Sequence, residues 1–228
     1  MKICVLVLVG PWPSNQQWLG EMIQSIADQT RQADEVVLID DGAHLSADVM
    51  TEYGGMLRKT NPQSQLIRIA TPWLVGPGML NWAIATSPCN WFFYCDSDDR
   101  MLPKCLEYAE GRAKEIGIPC LIRVPVVLST DITDPVAAGQ CLFHKKIWAT
   151  VGGYSESFPH DEHFFDRLLR RRPNYVFDMI DHRVEMYWHR EHPDAMSHNQ
   201  VAVINRPLDW VRKFGFDPNY VPAKEDFE

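Results

Sequence analysis

The sequence predicts an α/β fold with a mostly parallel central sheet flanked by helices. Three observations predict it. Ile3 to Val9 is a continuous apolar run, the pattern of a strand buried on both faces of a parallel sheet. Apolar strand segments then alternate with amphipathic helical segments, starting with a βαβ unit inside the first forty residues. Two of the strand segments end in aspartates, Asp40-Asp41-Gly42 and Asp96-Ser97-Asp98-Asp99. In an open parallel sheet the C-terminal strand ends share one edge, beside the crevice where such sheets bind ligands.

After the first strand, the turn Gly10 to Asn15 leads into a helix around Trp18 to Gln29, with Trp18, Leu19, Met22, Ile23 and Ile26 as its apolar stripe. Glu35 to Ile39 is the second strand, followed by a helix around Ala47 to Arg58. Gln65 to Ile69 is a short third strand. Gly76-Pro77-Gly78 opens a helix around Met79 to Ala85, Trp91 to Cys95 is the fourth strand, and Pro103 to Ile116 is the next helix. Leu121 to Leu128 reads as a strand in which Pro125 marks an edge or a bulge. Gln140 to His144 is a further strand. Lys145 to Val151 is a helix ending at Gly152-Gly153, and Asp161 to Arg171 is a helix with Phe164, Phe165, Leu168 and Leu169 facing inward. Val176 to Ile180 and Val184 to Trp188 are strand candidates. The last thirty residues hold a weak helix around Leu208 to Phe214 and read as an extension packed on the domain or on a partner chain, which leaves a homo-oligomer open.

The bulk properties exclude some functions. A formal net charge of -8 argues against a general polyanion binder, so no nucleic-acid backbone partner is expected. The one dense basic run, Arg170-Arg171-Arg172, ends a helix, where cations favour the dipole. Six cysteines form no CxxC pair and sit mostly among apolar residues, the pattern of buried reduced thiols in a reducing compartment; a cytoplasmic location is expected. Lys2 with the seven apolar residues after it lacks a small-residue cleavage pattern, and no segment reaches membrane-span length, so neither a signal peptide nor a transmembrane helix is expected.

Asp96 to Asp99 places three carboxylates in four residues where a core strand emerges. Close carboxylates repel one another, and a hard divalent cation relieves that repulsion. The plainer alternative is an acidic turn that caps the next helix.

An ordered series of motifs over roughly residues 1 to 200 resembles the family-2 glycosyltransferases of the GT-A fold. It comprises Gln29-Thr30 ending the first helix, Asp40-Asp41-Gly42, a helix start with Gly76, Gly78 and Asn81, and Asp96 to Asp99 followed by Pro103. The resemblance implies a domain over residues 1–200, divided into a nucleotide-sugar half (1–118) and an acceptor half (119–200), with 201–228 as the extension. It implies transfer of a sugar, with inversion, from a nucleotide-diphosphate donor, most simply a UDP-sugar, to a saccharide or other hydroxyl acceptor. It assigns Asp41, with Asp40 beside it, to the base or ribose, Arg68 to the base or diphosphate, and Asn81 to the donor-side helix start. Asp98 would ligate Mn2+ or Mg2+, Asp96 would touch the ribose or the metal shell, and Asp99 would position neighbours or cap the next helix.

In the later chain, Gly152-Gly153-Tyr154 followed by Asp161 to Arg167 resembles the family's acceptor region, where an acidic residue is the catalytic base. Asp161 is the first choice and Glu162 the second. Trp188-His189-Arg190-Glu191-His192 resembles a late segment near the diphosphate, implying Arg190 on a phosphate and His192, in competition with His189, on the metal. The chain departs from the family after its first strand, where Gly10-Pro11-Trp12 replaces the usual turn; Trp12 either stacks on the base or anchors the loop. A non-catalytic module that binds sugar nucleotides or carbohydrate on the same fold is the competing expectation. A nucleotidyltransferase is disfavoured, because Gly10 to Pro13 is not a glycine-rich phosphate loop.

Overall fold

The computed structural model describes residues 1–71, 76–128, 133–134, 140–155, 160–171, 173–178 and 186–190, with the backbone alone for 14–15, 71, 76–77, 127–128, 133–134, 160–163, 173 and 178. The first half consists of β1 (Ile3–Val9), α1 (Pro13–Gln17), α2 (Leu19–Ala27), β2 (Glu35–Asp41), α3 (Ala47–Thr60), β3 (Gln65–Thr71), α4 (Gly76–Thr86) and β4 (Trp91–Asp96). Then come β5 (Arg100–Met101), α5 (Cys105–Ile116), β6 (Leu121–Arg123), β7 (Val126–Leu128), β8 (Thr133–Asp134), β9 (Cys141–His144), α6 (Lys145–Val151), α7 (His160–Arg171), a 3-10 turn (Pro173–Tyr175), β10 (Val176–Asp178) and β11 (Tyr187–His189).

A seven-stranded sheet runs β10-β6-β9-β4-β1-β2-β3, and β9 alone of these is antiparallel to its neighbours. It draws strands from both sides of residue 118. The chain steps outward from β1 through β2 to β3, then returns to place β4 on the other flank of β1. This reversal is the switch point at which α/β sheets open a crevice. A smaller sheet, β5-β11-β7-β8, lies beyond the end of β4.

Alternation along the parallel strands explains their continuous apolar runs. Ile3, Val5, Val7 and Val9 join a core with Val36, Leu38, Trp91, Phe93 and Cys95, covered by α2, α3 and α5. Cys4 and Leu6 join a second core with Val37, Ile39, Phe92 and Tyr94, covered by α4, α6 and α7. Successive strand side chains point to opposite faces, so both layers must be apolar. Each Phe or Leu fully buried there contributes about 1.5–3 kcal/mol. All six cysteines are buried free thiols, as their surroundings in the sequence predict.

Several elements differ from the sequence expectation. The run Leu121 to Leu128 is two strands in two sheets. Pro125 has no N–H for a ladder, but its carbonyl accepts from the backbone of Met186 (3.3 Å) and Tyr187 (3.2 Å), so the chain crosses between sheets there. Pro13 starts the short α1 rather than lying in a turn, consistent with proline's tolerance in a first helical turn. Trp18 lies at the junction of α1 and α2, half-buried, rather than in the α2 core stripe. Leu169, expected inward on α7, is 41% exposed. β2 extends through Asp40 and Asp41, which are therefore strand residues. The segment around Leu208 to Phe214 and the whole of 201–228 lie outside the described residues. Among the described residues no helix is long and apolar enough to cross a membrane.

Gly152 and Gly153 follow α6 with φ of 82° and 74°. A Cβ on Gly152 meets nothing within 4 Å, whereas one on Gly153 would stand 2.5 Å from Asn81 Oδ1. Gly152→Ala should therefore cost about 1–2 kcal/mol from the left-handed backbone alone, and Gly153→Ala at least about 3 kcal/mol, because a clash adds to the strain. Urea unfolding of the two variants checks the order; equal losses would contradict the close packing at Gly153.

Candidate active site

Strand pairing places the two acidic ends together. In β1, Leu8 is opposite Asp96 of β4 and Val9 is opposite Asp40 of β2. Asp40 and Asp96 thus flank the C-terminal end of β1 at two strand spacings, about 10 Å. Asp41 ends β2 one residue further on, and Asp98 follows β4 by two residues. Asp40, Asp41 and Asp98 are each more than nine-tenths buried, at the rim of a sheet rather than on a solvated loop.

The two carboxylates at the end of β2 differ in their surroundings. Asp40 accepts from the backbone N–H of His44 (2.8 Å) and Leu45 (2.9 Å), and from Arg68 Nε (2.9 Å). It closes the turn after Gly42 and pins the β3 arginine beside it, so Asp40 and Arg68 form one unit. Asp41 is the terminal strand residue and lies next to this pair.

The turn after β4 is held from several sides. Asp96 Oδ1 accepts from the Tyr94 hydroxyl (2.7 Å), its Oδ2 accepts from Gln140 Nε2 (3.3 Å), and its N–H donates to the Tyr187 hydroxyl (3.3 Å). Asp99 is fully buried; it lies 3.1 Å from His189 Nδ1 and accepts the Arg190 N–H at 2.9 Å. It is therefore a positioning residue and not a helix cap, since Lys104 occupies the cap position of α5. Arg190 donates from Nε to the Asp98 carbonyl (2.9 Å) and from Nη2 to Glu21 (2.7 Å). Its guanidinium lies over Trp18 (4.5 Å) and Trp188 (4.6 Å). A planar cation suits this stacked, forked position better than a lysine would.

Two of the sequence motifs also brace neighbouring elements. Gln29 donates to the Leu102 carbonyl (2.8 Å) and accepts from the Leu106 N–H (3.1 Å), while the Thr30 N–H donates to the Pro103 carbonyl (2.8 Å). They staple the end of α2 to the segment that leaves the acidic turn. Asn81 accepts from Trp148 Nε1 (3.0 Å) and the Tyr154 N–H (2.7 Å), and donates to the Tyr154 carbonyl (2.9 Å). Its amide is directed to the Gly153-Tyr154 turn, so it ties α4 to the segment that follows α6.

The backbone of Asp161 and Glu162 lies in the first turn of α7, one residue inside its start at His160; their side chains, and all of His192, lie outside the described residues. Among the described residues no three His, Cys, Asp or Glu side chains form a metal cage. The oxygen donors of Asp96 and Asp98 fit a hard cation that completes its shell with water and substrate phosphates, the usual habit of Mg2+. Sequence reasoning missed Gln140, Tyr94, Tyr187 and Glu21. Tyr94 alone carried a local signal, two residues before Asp96 on the same strand face.

Two histidines give the fold opposite pH dependences. The hydrogen bond to Asp99 pushes His189 up to about 9. Complete burial pushes the Asp99 carboxyl up, and the His189 bond opposes that rise. Burial, with Lys146 adding to it, pushes His144 down to about 4. His189 stabilises the fold fully below its ordinary value of 6.5, and that contribution is lost as pH rises through 9. For His144 stability is full above 6.5 and is lost as pH falls toward 4. Urea midpoints across pH should fall on both sides of about 6.5; His189→Gln should flatten the alkaline arm and His144→Asn the acid arm. An alkaline arm unchanged in His189→Gln contradicts the pairing with Asp99.

Comparison with solved structures places this geometry among known folds. S. aureus TarS 1-349 in complex with UDP-GlcNAc superposes with a TM-score of 0.70 at 16% identity, over 90% of this chain and 62% of that one. TarS 1-349 in complex with UDP gives a TM-score of 0.65 at 16% identity, over 85% and 61%. A longer TarS structure gives 0.65 at 14% identity, over 85% and 37%. The chain thus spans about three-fifths or less of the length of these structures. No match is found among curated proteins. Residues 14–131, just over half of the chain, match the family described as glycosyl transferase family 2. The chain belongs to glycosyl transferase family 2.

Proposed function

We propose that this protein is a metal-dependent, inverting glycosyltransferase that takes a sugar from a UDP-sugar and transfers it to a hydroxyl acceptor. The observation that carries the reading is the convergence of Asp40-Asp41 and Asp96 to Asp99 on either side of the end of β1, at the switch point of the sheet. Family membership supports sugar transfer, and the UDP and UDP-GlcNAc complexes of the similar TarS fold support a uridine donor.

In this reading Asp41 receives hydrogen bonds from the base or ribose, and the Asp40–Arg68 pair holds the wall beside it. Asp98, with Asp96 next to it, supplies the oxygens for Mn2+ or Mg2+. When bound, the cation neutralises charge on the departing diphosphate. Arg190 stands against Asp98 with its guanidinium shared with Glu21, which is 51% exposed and can yield to a phosphate oxygen. Asp161, or Glu162 beside it, takes the proton of the acceptor hydroxyl as that oxygen attacks the anomeric carbon. The bond from that carbon to the diphosphate breaks in the same displacement, and the configuration inverts.

A thermal-shift series of nucleotide sugars with and without Mn2+ tests the donor. One UDP-sugar should raise the melting temperature by several degrees only when Mn2+ is present, since ligand at 100 Kd adds about 2.7 kcal/mol. No metal-dependent shift with any of them would remove the proposal. Asp98→Ala should abolish the Mn2+-dependent part of that shift. Asp161→Ala should keep it yet reduce transfer by at least about a hundredfold. Transfer at the parent rate would move the base to another residue, with Glu162→Gln as the next variant to measure.

A further inference from the structure

We propose that Tyr94 and Gln140 are positioning residues that aim the Asp96 carboxylate at the donor and link its hold on the donor to the acceptor half. The proposal rests on the reading of Asp96 as a donor-binding group. Both side chains are buried, Tyr94 at 2% and Gln140 at 5% exposure, and each directs its polar end to a different oxygen of Asp96. Neither bond is part of the β-ladder. Tyr94 and Asp96 lie two residues apart on β4 and so share a sheet face. Gln140 arrives from the other direction, immediately before β9, which pairs antiparallel with β4. The Asp96 N–H is held separately by Tyr187, so the backbone and the side chain of this residue have independent anchors.

A carboxylate at the end of a strand ordinarily turns freely about its two side-chain torsions. Two neutral donors, one on each oxygen, select one orientation and leave the charge in place. Neutral donors suit the task, because a cation here would compete with the metal for the same oxygens.

The anchors also lead into the acceptor half. The Tyr94 ring lies 6.1 Å from that of Tyr154, and Tyr154 lies 4.8 Å from Phe164 of α7. Tyr154 is the residue whose backbone is tied to Asn81, and Gln140 is where the chain re-enters the sheet ahead of β9. Asp96 is thereby braced against the helix whose first turn carries Asp161 and Glu162. A change that frees Asp96 loosens the donor grip and leaves in place Asp98, the first residue that would hold a cation.

Calorimetric binding of UDP with Mn2+ tests this on four proteins: the parent, Tyr94→Phe, Gln140→Met and Asp96→Asn, with the two anchoring variants also made in the Asp96→Asn background. Tyr94→Phe and Gln140→Met should each weaken UDP binding by about tenfold, the usual worth of a hydrogen bond to a charged group. In the Asp96→Asn background the same two changes should have less than about a twofold effect, because the group they orient has changed. A general loss of packing would weaken binding equally in both backgrounds, and that result overturns the proposal. Parent affinity in both single variants overturns it as well. The donor reading fails separately, through a parent protein that does not bind UDP with Mn2+ at all.

Discussion

The buried carboxylate of Asp99 is the constraint on which the rest of the site depends. It lies inside the protein with no exposed surface, and its partners, His189 and the Arg190 N–H, come from about ninety residues further along the chain. A buried charge is costly unless it is paired, and removing one partner of such a pair typically costs about 3–5 kcal/mol. The pairing therefore fixes where β11 must lie. With β11 in place, Arg190 reaches the Asp98 carbonyl and Trp188 lies under its guanidinium. The net value of such a pair is not chiefly stability, since apolar replacements can do as well. Its effect here is geometric: one of the three acidic side chains is turned inward, which lowers the crowding of charge at the rim.

The same logic joins the layers. One apolar face of the sheet carries α2, α3 and α5, and the other carries α4, α6 and α7. Packing alone would let these layers slide by small amounts. Directional bonds prevent it at the points nearest the site. Gln29 and Thr30 fasten α2 to residues 102–106, and Ser25 Oγ accepts from the Met101 N–H at 3.1 Å. On the opposite face, Asn81 fastens α4 to Tyr154, and Arg167 of α7 donates to the Gly153 carbonyl. The requirement for glycine at 153 follows from that tie, because a side chain there would occupy the space of the Asn81 amide.

Much of the fold was legible in the sequence because β1 to β4 carry their own signal. Apolar runs such as Ile3 to Val9 and amphipathic helices declare themselves locally, and aspartates at strand ends share an edge as a consequence of parallel topology. The second sheet was not legible as a sheet, although Leu121 to Leu128 and Val184 to Trp188, which overlap β7 and β11, read as strand segments. Its strands are two or three residues long, too short for a period-2 pattern, and β11 pairs with β5 from nearly ninety residues away. The site was legible as a set of carboxylates and less so as a set of partners. Asp40 and Asp99 look like Asp41 and Asp98 in a sequence, and only the tertiary structure sends the first two to an arginine and a histidine. Gln29 and Asn81 were found as motif letters; their bracing role depends on carbonyls more than seventy residues distant. Leu169 was misplaced because a helix stripe predicted by spacing is wider than the face the neighbouring layer covers.

In the function proposed above, carboxylates held at one rim of the sheet bind a divalent cation together with a nucleoside diphosphate. Electron paramagnetic resonance of Mn2+ reads this directly, because the sharp signal of the hydrated ion is lost on binding. With protein and UDP together the signal should fall well below its level with UDP alone, and Asp98→Ala should return it to that level. A hydrated Mn2+ signal that is the same with protein and UDP together as with UDP alone would contradict that function.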